Sequence, residues 1–288
     1  MDNPMTLAAE DLASGKGSTN ENFPVASALI APRHRPVVMA FYRFARAADD
    51  VADNALAEPG TKLEMLEALR ASLQGETREA PEGRDLRAAL IERDLSAQHG
   101  LDLLEAFRRD VTKLRYDDWA DLMDYCRYSA APVGRFVLDV HGESRDLWPM
   151  NDALCAALQV INHLQDCGKD RREIDRIYIP LDRLHAAGLG VEALDADAAS
   201  PALRGVIIGL TRQTMDLLDV SRPFARAIKD GRLALEVGVI QALADDLCKL
   251  LLTRDPLSQE MHHDKMRMAT LGLSAMVRTL VTRMGKKA

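Results

Sequence analysis

The sequence predicts an all-α fold, one helical domain, and three observations carry that reading. Most apolar residues recur three and four positions apart, the period of a helix face. β-Branched residues seldom alternate with polar ones, so strand signals are nearly absent. No sequence repeat, linker or low-complexity stretch divides the 288 residues, and a single domain, residues 21–288 after a weakly specified segment 1–20, is the economical organisation.

The elements follow in chain order. A first helix begins near Arg35 with Pro36 in its first turn, and runs through Val37, Ala40, Phe41, Phe44 and Ala48 toward Asn54, with Pro59-Gly60 as its stop. Helical periodicity then covers Lys62 to Gln74, Asp85 to Gln98, Asp102 to Lys113, and Trp119 to Val140 with an interruption at Pro132. Beyond Pro149 a helix extends through Leu154, Leu158, Ile161 and Leu164 to about Asp170, and Tyr178-Ile179-Pro180 reads as loop. Pro201 to Ala227, Leu233 to Leu252 and Lys265 to Met284 complete the set. Gln74 to Arg84 and Gly188 to Ser200 are weakly specified.

Composition excludes several classes. Hydrophobic residues make up 47% and charged residues 28%, enough for a large core under a mixed-charge surface. A net charge of −7 argues against a nucleic-acid partner, which requires a basic face. Cys126, Cys155, Cys167 and Cys248 show no metal-type spacing and read as reduced thiols. Met1 to Asn20 lacks the apolar run of a signal peptide, and no segment reaches the roughly 20 apolar residues of a membrane span. The expectation is a cytoplasmic protein, at most peripheral to the inner face of the membrane.

Two acidic helix faces carry the chemistry. Asp49, Asp50 and Asp53 crowd the end of an alanine-rich apolar helix, with Asp49 and Asp53 on one face and Arg46 and Tyr42 one and two turns back. Like charges at that spacing repel, and a divalent cation would compensate them. Asn162, Asp166 and Asp170 recur in steps of four, an oxygen-only stripe along two helical turns. Oxygen donors without histidine or thiolate suit magnesium, which takes its remaining positions from water and phosphate. Either cluster alone also fits a solvated helix face. Two of them on separate long helices can meet across a bundle, hold Mg2+, and bind a diphosphate as leaving group, with Arg46 adding charge to the departing oxygens.

These residues resemble the motifs of the squalene/phytoene synthases. The first motif, Y-x-x-x-R-x-x-D-D-x-x-D, is met by Tyr42, Arg46, Asp49, Asp50 and Asp53. The second, N-x-x-x-D-x-x-x-D, is met by Asn162, Asp166 and Asp170. Tyr125-Cys126-Arg127-Tyr128-Ser129-Ala130-Ala131-Pro132-Val133-Gly134 is similar to a third stretch of the family, and the likeness runs from about Asn22 to Lys265. The resemblance implies an isoprenoid synthase bundle around a central apolar cavity. It assigns Asp49, Asp53, Asn162, Asp166 and Asp170 to magnesium, Tyr128 with Tyr42 and Arg46 to catalysis, and Arg46, Asn22, Gln165 and Lys265 or Arg267 to the diphosphate. Asp50 and Val133 fall in the same motifs, and Phe23 in a further matching stretch, Glu21 to Ser27.

Within the family, Glu21 to Ser27, Ser129 to Arg135, Asn162 to Asp166 and Asp175 to Pro180 are most similar to the hydroxysqualene synthase branch of hopanoid biosynthesis. That branch implies ionisation of presqualene diphosphate, rearrangement, and capture of water, with no NAD(P)H. A head-to-head synthase making presqualene diphosphate or phytoene from smaller prenyl diphosphates is the enzymatic alternative. A non-catalytic relative, such as an assembly factor, is the alternative of another class. The chain departs from most of the family at Gln165, where arginine is usual, at Lys169, where an acid is usual, and at Ala131.

Other features weigh less. Gly188-Leu189-Gly190 is superficially like a dinucleotide-binding turn, but no strand signal precedes it. His262-His263 reads as a surface pair. Arg278, Arg283, Lys286 and Lys287 stand without an acid beside Leu280, Val281 and Met284, as in an ordinary last helix or a weak membrane-surface contact. Pathway enzymes are a further class of partner.

Overall fold

A computed structural model describes residues Ile30 to Met284. Asn22 and Phe23 lie outside the described residues. The long helices are α1 (Arg35–Asp53), α2 (Pro59–Gln74), α3 (Pro81–Glu92), α4 (Gln98–Thr112), α5 (Trp119–Ser129), α6 (Ala131–Val140) and α7 (Trp148–Gln165). They continue as α8 (Cys167–Ile174), α9 (Leu181–Ala186), α10 (Pro201–Ser221), α11 (Phe224–Ala227), α12 (Gly231–Thr253) and α13 (Lys265–Met284), with short 3₁₀ turns at Arg145–Leu147 and Val191–Asp195. Among the described residues the only β-type pairing is an isolated parallel bridge between Arg115 and Ile177.

The local sequence explains most boundaries. Asn54, not Pro59-Gly60, stops α1: its side-chain oxygen accepts from Leu56 N–H at 2.8 Å and Ala57 N–H at 3.1 Å, closing a turn that competes with the helix. Pro59 instead opens α2, since a proline in the first turn has no amide to leave unpaired. The same chemistry starts α3 at Pro81, inside a stretch whose sequence is weakly specified. Ala130 separates α5 from α6, with Pro132 in the first turn of α6. Asp118, Ser200 and Asp230 cap α5, α10 and α12 by accepting backbone N–H groups with their side chains. The helix expected to run through Asp170 bends at Asp166, between α7 and α8. The i→i−4 bonds Asp166 N–H to Asn162 O and Asp170 N–H to Asp166 O, at 2.9 and 2.8 Å, nevertheless carry across the bend.

Two apolar clusters form the core. One joins α1 to α4 with the inner face of α6, around Phe44, Leu66, Leu73, Leu86 and Phe136. The other joins α5, α7, α10 and α12 around Leu122, Ile161, Leu164, Ile207 and Leu251. Phe41 and Phe136 stack with centroids 4.0 Å apart, tying α1 to α6. The acidic end of α1 and the acidic stripe of α7 and α8 therefore belong to different halves of the core, and they meet where the halves adjoin.

Candidate active site

Asp49 and Asp53 from α1 and Asn162, Asp166 and Asp170 from α7 and α8 line one cleft of about 260 Å³. Helix α4 adds Phe107 and Asp110, α5 adds Tyr125 and Ser129, and α7 adds Gln159 and His163. Ile174, Arg176 and Tyr178 close it. Most of these side chains are polar, and the volume lies just below the roughly 300–1,000 Å³ of small-molecule sites. The described walls thus form a polar pocket suited to a charged group.

Beneath the carboxylates lies a buried network. Arg176, 6% exposed at its side chain, donates from Nη1 to Asp53 at 2.9 Å and from Nη2 to the Asp110 carbonyl at 3.1 Å. Tyr125 and Tyr178 donate their hydroxyls to the two oxygens of the Asp110 carboxylate, at 2.9 and 3.1 Å. His163 stacks on Tyr178 at 3.4 Å between centroids and meets the Gln159 amide at 3.1 Å. The chain brings Arg176 here through a short extended segment. Asp175 takes a left-handed backbone at φ 49° at the end of α8, and Ile177 N–H then bonds the Leu114 carbonyl at 2.9 Å. Asp175 accepts from Arg115 and Arg171, which fixes that turn.

Electrostatics follow from this crowding. Burial and then Asp53 push the Asp49 carboxyl up to about 7, and burial and then Asp166 push Asp170 up to about 7. Burial raises Asp110 to about 6, against the lowering effect of Arg176 and the Tyr125 hydroxyl. His163 is lowered to about 3 by burial and by Arg176, which keeps the ring neutral. Burial opposes the charge of Arg176, but the oxygens of Tyr178, Asp110 and Asp53 outweigh it and hold the guanidinium protonated. The carboxylates of the cleft thus outnumber its cations, Arg176 within it and Arg46 beside it.

Among the described residues, no three histidine, cysteine or acidic side chains converge tightly enough to hold a metal alone. The donor set still fits magnesium, which needs only one or two carboxylates when phosphate oxygens and water complete its shell. Carboxyl groups driven up to about 7 by burial and by one another are also groups that a cation would stabilise in their charged form.

Other expected positions are arranged differently. Arg46 and Tyr42 do not line the cleft; Arg46 pairs along α1 with Asp49 at 2.9 Å and Asp50 at 2.5 Å. Tyr128 lies outside it, its hydroxyl accepting from Arg127 at 2.7 Å and its ring under the Arg109 guanidinium at 4.4 Å. Tyr125, one turn earlier, is the tyrosine of that motif on the cleft. Gln165 is buried and donates to the Met261 carbonyl at 2.8 Å, because it projects from α7 toward the α12–α13 connection. Lys265 is exposed at the start of α13 and Val133 is 42% exposed on α6, and neither lines the cleft. His263 is no surface residue: its ring meets Asp246 at 2.8 Å, and Arg267 binds the same carboxylate.

Asp110, Arg176 and Tyr178 are site residues that sequence periodicity misses. Asp110 gives no signal beyond being an acid on α4. Arg176 and Tyr178 fall within the Asp175 to Pro180 stretch quoted for its resemblance.

Comparison with known proteins agrees with this architecture. The squalene/phytoene synthase family model matches residues 17–267. The hydroxysqualene synthase of Rhodopseudomonas palustris is 53% identical, over 97% of this chain and 95% of its own length. That of Zymomonas mobilis is 57% identical, over 93% and 90%. Among solved structures, the squalene synthase of Alicyclobacillus acidocaldarius superposes with a TM-score of 0.70 at 31% identity, covering 84% of this chain and 92% of that one. A ligand-bound dehydrosqualene synthase, 21% identical with a TM-score of 0.73, shares the fold over 94% of each chain. The all-helical architecture, the motifs in one cleft and these matches together make the chain a member of the squalene/phytoene synthase family, an isoprenoid enzyme.

Proposed function

We propose that this enzyme converts presqualene diphosphate and water into hydroxysqualene and diphosphate. The observation that carries the reading is the meeting of two acidic helix faces in one cleft above a buried guanidinium. Its support in detail is the similarity to hydroxysqualene synthases over nearly the whole chain. The balance is simple: the C–O bond to diphosphate breaks, both electrons leave with the phosphate oxygen, the cation rearranges, and water adds its oxygen and releases a proton. No hydride is required, so no reduced nicotinamide enters.

Asp49, Asp53, Asn162, Asp166 and Asp170 are the residues that would hold magnesium, and when bound the metal supplies the positive charge that makes diphosphate a leaving group. Arg46, within reach of Asp49 and Asp50, adds charge beside the cleft. Arg176 fixes the Asp53 carboxylate from below, so that one donor is oriented before any ligand arrives. Tyr125, Tyr178 and His163 line the cleft as a packed, buried aromatic cluster whose rings lie against one another.

Offering the purified enzyme presqualene diphosphate, farnesyl diphosphate and geranylgeranyl diphosphate separately, with and without NADPH, tests the proposal. The expected product is hydroxysqualene from presqualene diphosphate alone, unchanged by NADPH. Presqualene diphosphate or phytoene formed from smaller diphosphates, or squalene formed only with NADPH, would overturn it.

A further inference from the structure

Helix α13 is amphipathic in the wrong direction for a helix that merely covers a core. Its inward face is small, with Gly272, Ala275 and Thr279 buried. That face lies close against α12: a methyl group at Gly238 would stand 2.3 Å from the Thr279 hydroxyl, and one at Gly272 would touch Val239 at 3.7 Å. Its large apolar residues point the other way. Met266, Leu273, Val277, Leu280, Val281 and Met284 are each 49–80% exposed, and their spacing of seven, four and three or four residues lines them along one side. A surface helix ordinarily turns such a stripe inward.

Charge accompanies the stripe. The chain carries −7 overall, yet α13 holds Lys265, Arg267, Arg278 and Arg283 and no acid. At its end the stripe runs into a groove of about 440 Å³, lined by Arg226, Lys229 and Arg283 with Ile228, Leu280 and Met284, and by no carboxylate. Arg283 is anchored there by the Ile228 carbonyl at 2.6 Å, whereas Arg226 and Lys229 are exposed. No described helix is long and apolar enough to cross a membrane.

We infer that this face docks on an anionic lipid bilayer, with the α13 stripe entering the interface and the groove cations meeting phosphate headgroups. An apolar stripe flanked by cations is the pattern of an interfacial helix. A second copy of the chain fits poorly, because in a two-fold contact this face meets itself, and neither the groove nor α13 has a carboxylate to pair with its cations. The inference concerns placement on a membrane and is independent of the reaction proposed above.

Sedimentation of the full-length protein with vesicles tests it. Binding to phosphatidylcholine vesicles containing phosphatidylglycerol, weakened by salt and absent with phosphatidylcholine alone, is the expected result. Leu273→Gln, Val277→Gln and Leu280→Gln together should abolish binding. Arg226→Gln with Lys229→Gln should weaken it roughly 30-fold, the weight of two basic residues at an anionic surface. All five positions are exposed, so both variants should keep the wild-type melting temperature, and that is measured alongside. Absence of binding to the anionic vesicles, or binding indifferent to the triple substitution, overturns the inference. So does a wild-type dimer that the triple substitution converts to monomer.

Discussion

Arg176 donates to the Asp53 carboxylate at 2.9 Å although 123 residues separate them. One end of this pair is a motif carboxylate of the first acidic face. The other is a nearly buried cation that also touches Asp110, Tyr178 and the Asp110 carbonyl. A buried charge pair gains little over an apolar replacement, but breaking it from one side leaves the partner uncompensated.

Replacing Arg176 with methionine should therefore destabilise the protein by about 3–5 kcal/mol, because Asp110 is left buried without a cation. Adding Asp110→Asn should recover part of that loss, since it removes the stranded charge. Chemical denaturation of the single and double variants measures the coupling. Equal and additive losses would show that Arg176 and Asp110 act separately.

Activity should require magnesium and vanish on chelation. Asp49→Asn or Asp166→Asn should lower turnover at least about 100-fold, as when a preorganised electrostatic stabiliser of a transition state is lost. Product formation in excess chelator, followed by titration with magnesium, checks both statements. Full activity of either variant would remove that carboxylate from the donor set.

How much of this was legible in the sequence depends on distance along the chain. Asp49 and Asp53, or Asn162, Asp166 and Asp170, advertise a shared face because helical neighbours stand four residues apart. The resemblance to a family paired the two faces, and the cleft now holds both. Nothing local announces that Tyr178 reaches Asp110 across 68 residues, since that contact depends on how α4 packs beside the segment after α8. Gln165 illustrates the converse. It follows Leu164 next to the acidic stripe, yet its position on α7 turns its amide toward Met261. Tyr128 likewise shares a motif with Tyr125, but three residues of helix separate the cleft wall from the Arg109 and Arg127 guanidinia.

The raised carboxyl of Asp49 makes a pH prediction for the metal-free protein. Its pKa climbs from 3.8 to about 7 on folding, through burial and Asp53. The folded state therefore binds this proton more tightly than the unfolded chain. The resulting penalty is absent below about 3.8, grows through the interval and is complete above about 7. Asp49→Asn removes it. In chelator, the variant should melt higher than wild type near pH 8, by much less than the full shift implies because the Asp49 side chain is 38% exposed and water screens its charge. The gap should shrink near pH 5. Magnesium should raise the wild-type melting temperature and leave the variant less changed.

Two helical glycines should respond to alanine in opposite ways, and the contrast links packing to the site. A methyl group at Gly134 on α6 would stand 2.1 Å from the Asn151 side-chain oxygen and 2.7 Å from the Cys155 sulfur. Both belong to α7 and Asn151 is buried, so α7 has to move or the side chains have to leave their rotamers. Overpacking of that kind costs about 1–3 kcal/mol. Because α7 also carries Asn162, Gly134→Ala should lower activity and raise the magnesium concentration needed for half-maximal rate. Gly209 on α10 is different: nothing lies within 4 Å of an added methyl group. Alanine there only removes the entropic cost of a glycine within a helix, and Gly209→Ala should stabilise by about 0.5–1 kcal/mol with unchanged kinetics. Denaturation curves and a magnesium titration of the two variants provide the comparison. If Gly134→Ala is as stable and as active as wild type, the close approach of α6 to α7 does not hold the second acidic face in place.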